Sequence, residues 1–279
     1  MPLEFSPMML DFINQFVYRP DATFAHPDFS PGQLGLDYEE AAFTAADGTA
    51  LTGWFLPAAN PWLALLYSHG NAGDIRDWVH AAPPFLDEGI SLLIWDYRGF
   101  GRSEGTPSEE GLFQDGAAAW AWLSRRAAGS GLPAAMLGKS LGSAVAVHSA
   151  AELSGSEGGP AALVLDSAFT SMREIVTRLA PMVPWEQAID PDADDAPTLG
   201  SAIPRLFESL DKAPEIGCPT LVIHGGRDTL VPLEHGRRLY DALSGPKQME
   251  VIPAAGHNDI SVYPEYMTAI VAFLREAAS

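Results

Sequence analysis

Three side chains in this 279-residue sequence have the types that acyl transfer through a serine requires: Ser140, Asp228 and His257. A serine hydroxyl is a weak nucleophile at neutral pH. It needs an imidazole base, and the base needs a carboxylate to fix its tautomer. Ser140 lies in Gly138-Lys139-Ser140-Leu141-Gly142, a G-x-S-x-G pattern in which glycine on both sides leaves room for a sharply bent serine. Asp228 ends His224-Gly225-Gly226-Arg227-Asp228, and His257 sits in Ala255-Gly256-His257-Asn258-Asp259. Both segments read as loops that follow short apolar runs.

Acyl transfer also needs two main-chain N–H groups aimed at the oxyanion. One is expected from Leu141, the residue after the nucleophile. The other is expected from Asn71 in Ser68-His69-Gly70-Asn71-Ala72-Gly73, a glycine-rich loop after an earlier apolar run. Gly138-Lys139-Ser140 also resembles the tail of a phosphate-binding G-x-x-x-x-G-K-[ST] loop, but that motif needs glycine where this chain has Pro133. Asp166 is the reserve carboxylate, with turn capping as its simpler role. Lys139 reads as a partly exposed residue at a strand end, with contact to substrate or to a neighbouring carboxylate as the alternative. His69, His224 and His235 are expected to bond loop backbone, and His148 to pack on its helix.

These groups require a scaffold that delivers strand ends to one edge. Strand-like runs fall at 39–44, 51–56, 62–67, 91–95, 134–137, 162–165, 220–224 and 248–252. Helical stretches separate the later ones: 75–86, broken by Pro83-Pro84; one capped by Thr106 with Pro107 and Glu109; 144–153; 232–243; and 262–274. Strands alternating with helices predict an α/β domain with a mostly parallel sheet covered on both faces, with functional groups at the carboxyl ends of the strands. The chain reads as one domain over 1–279, interrupted at 169–217 by nearly fifty residues without a strand signal. That insertion is expected to form a small cap, and its apolar Met172, Met182 and Trp185 to wall a substrate pocket. Within it, the acidic run Asp190 to Asp195 lacks the glycine and closing glutamate of a calcium loop.

Composition removes several classes of function. A formal net charge of −20 repels nucleic acid and anionic membrane surfaces. A lone cysteine, Cys218, excludes an internal disulfide and fits a reducing compartment. No stretch approaches the roughly 20 apolar residues of a membrane span. Residues 5–17 read as a helix docked on the domain. A cytoplasmic protein without stable membrane insertion is the expectation.

Taken together, the elbow around Ser140, His69-Gly70-Asn71-Ala72-Gly73, Asp96-Tyr97-Arg98-Gly99-Phe100-Gly101-Arg102-Ser103 and Cys218-Pro219-Thr220-Leu221-Val222-Ile223-His224-Gly225 resemble the α/β-hydrolase-fold serine hydrolases. The likeness runs from about Glu39 to the C-terminus and leans toward the small-lid branch of acyl-protein thioesterases and their bacterial relatives. It implies an eight-stranded sheet with its first strands antiparallel, and hydrolysis of a small ester or thioester through an acyl-enzyme with no metal or cofactor. It further implies that Asp96 and Arg98 belong to a structural turn beside the site. The cysteine cluster of membrane-bound depalmitoylases is absent, which argues against protein depalmitoylation. Two alternatives stand beside this reading: a peptidase or amidase of the same fold, and a non-catalytic binding protein built on it.

Overall fold

The computed structural model describes residues 14, 16–179 and 204–278. Eight strands form one sheet: β1 Glu39–Thr44, β2 Ala50–Leu56, β3 Leu63–Ser68, β4 Ile90–Trp95, β5 Ala134–Lys139, β6 Leu163–Asp166, β7 Thr220–Gly225 and β8 Lys247–Ile252. Their spatial order is β1-β2-β4-β3-β5-β6-β7-β8. Only β2 runs against its neighbours, and every pair from β4 to β8 is parallel. The fold is therefore the α/β-hydrolase sheet.

The central strands are continuous apolar runs because helices cover both faces. Every residue of β3 and of β4 is buried. The edge strand β8 is only partly buried and carries Lys247 and Glu250, charges that discourage pairing with another chain. Helices complete the layers: α1 Ile75–Trp78, α2 Ala82–Asp87, α3 Glu109–Gly129, α4 Leu141–Glu152, α5 Met172–Leu179, α6 Ser209–Lys212, α7 Leu233–Ala242 and α8 Pro264–Ala277. One face packs Met136 and Leu165 against Leu112, Trp120 and Leu123 of α3 and Val145 of α4. The other packs Tyr67, Leu137 and Val164 against Phe85 of α2 and Ile270 and Phe273 of α8. Alternation along β5 thus sends Met136 to the first face and Leu137, with Lys139 two residues on, to the second.

Two helix starts differ from the sequence reading. Ser108, not Thr106, caps α3: its backbone is extended and its hydroxyl accepts the Gly111 N–H at 3.1 Å. The glutamates at 109 and 110 then fall in the first turn, where the helix dipole favours them. Between Ile75 and Asp87 the chain forms two helices joined by a 3-10 turn. Pro83 sits in the first turn of α2, where no intrahelical N–H is needed, so it starts a helix rather than kinking one.

Candidate active site

The nucleophile elbow follows from close packing where β5 turns into α4. Ser140 has φ 51° and ψ −114°, a conformation costing roughly 1–3 kcal/mol that persists only if its surroundings enforce it. They do so through glycine. A Cβ on Gly142 would collide with the Ser68 carbonyl, and one on Gly138 with the backbone of Gly142 and Ser143. The Ser140 N–H donates to the Asp166 carbonyl at 2.9 Å, and the Ser143 hydroxyl donates to the Ser140 carbonyl at 2.6 Å.

The three distant side chains converge. His257 Nε2 lies 3.1 Å from Ser140 Oγ, and His257 Nδ1 lies 2.7 Å from Asp228 Oδ2. The other carboxylate oxygen of Asp228 accepts the N–H groups of Leu230 at 2.9 Å and Val231 at 2.8 Å. Burial pushes the Asp228 carboxyl up, but the His257 hydrogen bond and charge, with the Val231 N–H, outweigh it and hold it below the ordinary value. A carboxylate anchored this way stays ionised and keeps one imidazole nitrogen facing the serine.

The loop after β3 is held by contacts from the N-terminal stretch. The Arg19 N–H donates to the Asn71 carbonyl at 2.9 Å, and the Gly73 N–H donates to the Arg19 carbonyl at 3.1 Å. Asn71 Nδ2 donates to the Phe16 carbonyl at 3.2 Å. Nothing in the local sequence announces this pairing of residues more than fifty positions apart. The same loop is backed by Trp78, whose ring fills the space that a Cβ on Gly70 would enter. Leu141 is buried at the first turn of α4, whose N-terminal end favours negative charge.

The other polar candidates have defined partners. His69 is fully buried, with Nδ1 2.7 Å from the Gly70 carbonyl. His224 Nε2 donates to the Val231 carbonyl at 2.8 Å and lies 3.6 Å from Asp228. Burial lowers its pKa more than these partners raise it. His235 meets the Thr170 hydroxyl at 2.7 Å, and His148 stacks flat on Phe113 with ring centroids 3.7 Å apart. Asp96 caps the start of α1 by accepting the Ile75 N–H at 2.9 Å, and Arg98 is fixed by Asp115 and Asp47 at 2.8 and 2.7 Å.

Lys139 departs from the main sequence reading. It is buried, because its position on β5 sends it to the same covered face as Leu137. Its ammonium donates to Asp166 Oδ1 at 2.9 Å, the His257 carbonyl at 2.8 Å and Ser167 Oγ at 3.3 Å. Asp166 accepts from Lys139, Ser167 and the Tyr266 hydroxyl. Of the expected pocket residues, Met172 is buried in the same apolar cluster as Leu141, Phe169 and Phe207. Met182, Trp185 and the acidic run 190–195 lie outside the described residues. Among the described residues, no helix is long and apolar enough to cross a membrane.

This fold and elbow define an α/β-hydrolase. The family model described as "Serine aminopeptidase, S33" matches residues 59–206, and the chain belongs to that family. It is 36% identical over 236 residues to an uncharacterized protein of Mycobacterium tuberculosis, covering 83% of this chain and 77% of the relative. It is also 33% identical over 197 residues to lysophosphatidylserine lipase ABHD12 of Danio rerio, covering 66% of this chain and 48% of that protein. Among solved structures, the Pyrococcus furiosus esterase Pf2001 is similar with a TM-score of 0.75 at 22% identity, over 94% of this chain and 99% of the esterase. An α/β hydrolase from Vibrio vulnificus is similar with a TM-score of 0.75 at 19% identity, over 97% of this chain and 95% of its own. The chain is a hydrolase.

Proposed function

We propose that the protein is a serine hydrolase that cleaves small carboxylic esters or thioesters through an acyl-enzyme. The observation that carries this is the continuous row from Asp228 through His257 to Ser140, with spacings of 2.7 and 3.1 Å. In this mechanism His257 Nε2 takes the Ser140 proton as Oγ adds to the substrate carbonyl. The tetrahedral oxyanion accepts the main-chain N–H groups of Leu141 and Asn71. Collapse expels the alcohol or thiol, which leaves with the proton from His257. Water, deprotonated by the same imidazole, then releases the acid and regenerates the hydroxyl. No cofactor enters any of these steps.

Residues 169–217 act as a cap in this reading, inserted in a single domain over 1–279. Met172, Met182 and Trp185 are the apolar residues of this insertion assigned to the acyl pocket, Met172 from the buried cluster beside Leu141. The sequence resemblance to small-lid thioesterases supports an ester or thioester substrate, and the lone Cys218 fits a cytoplasmic setting.

The test is direct. Ser140→Ala is expected to abolish turnover of a short p-nitrophenyl ester while leaving the melting profile intact, and an active-site fluorophosphonate is expected to label Ser140 only in the native protein. Full turnover by the variant would discard the mechanism. Absence of labelling would favour a binding protein. A second reading, amide cleavage, is favoured by the aminopeptidase description of the family model. Matched ester and amide substrates compared by kcat/KM separate the two.

A further inference from the structure

The loop that carries His257 is pinned at its two ends and by the His257 ring, and its other central side chains are exposed. Ala255 and Ile260 are fully or almost fully buried, whereas Asn258 and Asp259 are exposed. Behind the loop lies a cavity of about 270 Å³ bordered by Lys139, Asp166, Asn258, Ser261, Tyr266 and Trp78. Packing of the Asn258 and Asp259 side chains therefore does not set the loop backbone, which is held by the bonds of the buried His257 ring to Asp228 and Ser140, by the Gly256 N–H donating to Asp259 Oδ1 at 2.6 Å, and from the sheet side. One polar contact reaches it from the sheet: the Lys139 ammonium donating to the His257 carbonyl at 2.8 Å.

That ammonium has three donors, and three acceptors meet them: Asp166, Ser167 and the His257 carbonyl. Lys139 and Asp166 are direct partners in the β5–β6 register. If sheet packing were the only demand, an apolar pair would serve better at this buried position, because desolvating an ammonium and a carboxylate is costly. Two left-handed non-glycine residues flank the pair, Ser140 at φ 51° and Ser167 at φ 52°. Backbone strain held at two adjacent strand ends is a feature of functional sites rather than of plain sheet edges. Tyr266 of α8 closes the arrangement by donating its hydroxyl to Asp166 Oδ2 at 2.9 Å.

We propose that Lys139, held by Asp166 and Tyr266, is a positioning residue that fixes the His257 backbone and so sets the imidazole on Ser140. This rests on the Ser140–His257–Asp228 reading above. Lys139 touches neither substrate nor reacting atoms. It acts through the loop, complementing the grip of Asp228 on the ring.

The test compares Lys139→Met/Asp166→Asn, Asp166→Asn and Tyr266→Phe with the native protein, by kcat, KM and melting temperature on a p-nitrophenyl ester. The double variant removes both charges together, so no unpaired ion is left buried, but it also removes the tether. Its kcat is expected to fall about 10²-fold with KM nearly unchanged, as for a reacting group displaced by about 1 Å. Asp166→Asn alone leaves the buried lysine without its counter-ion but keeps its bond to the His257 carbonyl. It is expected to lower kcat about tenfold, less than the double variant and no less than Tyr266→Phe, which acts only through Asp166. Tyr266→Phe is expected to lower kcat about 3-fold to 10-fold, the equivalent of one hydrogen bond. If the double variant, or Tyr266→Phe where the double variant does not fold, turns over at the native rate, the positioning role is overturned. Ser140→Ala assayed in parallel keeps the two proposals apart. An inactive Ser140→Ala beside a fully active double variant sinks only the clamp, whereas an active Ser140→Ala sinks the triad itself.

Discussion

Two buried aspartates, Asp166 ending β6 and Asp228 on the loop after β7, are used in opposite ways. Asp228, after β7, meets the His257 ring with its own carboxylate. Asp166, at the end of β6, bonds a lysine, a serine and a tyrosine, and bears on His257 only through the lysine and a main-chain carbonyl. Residue type and the carboxyl rim of the sheet are the same in both, although Asp166 ends its strand and Asp228 lies three residues beyond β7. The neighbour decides the role: Gly256 and His257 lie over β7's end, while Lys139 occupies the strand beside β6. A carboxylate at the rim of such a sheet cannot be assigned to a mechanism without knowing which cation or ring faces it.

The sharpest way to break this contrast is to neutralise each aspartate in turn. Asp228→Asn is expected to lower kcat by about 10⁴-fold, because the amide holds the wrong imidazole tautomer, against a loss of about tenfold for Asp166→Asn, which reaches the ring only through Lys139. Equal losses in steady-state assays of the two variants would erase the distinction.

Acidification probes the same region from the stability side. His224, 3.6 Å from Asp228, is held below its ordinary pKa mainly by burial, as are His148 and His235. The unfolded chain therefore takes up protons first. Stability from these groups is full above the unfolded value of about 6.5 and is lost as pH falls from there toward the lowered folded values. Asp228 behaves similarly in a lower window: its contribution is lost as pH falls from the ordinary carboxylate value through its depressed one. Melting temperature measured between about pH 5 and 7 should thus rise with pH. A flat profile would mean that the three imidazoles are not kept neutral by the fold.

The smallest effect is expected at the oxyanion loop. Asn71→Ala keeps the main-chain donor and removes only the side-chain bond to Phe16, worth about 0.5–1.5 kcal/mol. A fall in kcat of more than about tenfold, the outer limit of that bond, would show that the side chain itself does chemistry.

Much of this site could be read from sequence because its parts are local. The elbow is a five-residue pattern with an apolar run before it, and Asp228 and His257 each follow a recognisable strand at a glycine-bearing turn. Lys139 is half legible: a lysine there suggests a carboxylate partner, which Asp166 is, but not its burial. A charged residue at a strand end ordinarily faces water, and only strand alternation with Leu137, together with the register partner Asp166, could have marked it as buried. The cap of α3 was ambiguous because Thr106 and Ser108 are both good capping residues, and helical phase decided between them. Contacts of residues 16–19 with the oxyanion loop were illegible, since a parallel bridge between Arg19 and Ala72 leaves no periodicity to find.

That bridge has a practical side. The peptide groups proposed to meet a reacting carbonyl are braced by a strip of chain more than fifty residues away in sequence. A fusion partner or an edited leader that tugs on that strip would be felt as sluggish chemistry in a protein whose thermal profile looks healthy. Poor activity in such a preparation should send the experimenter to its front end before the serine is blamed.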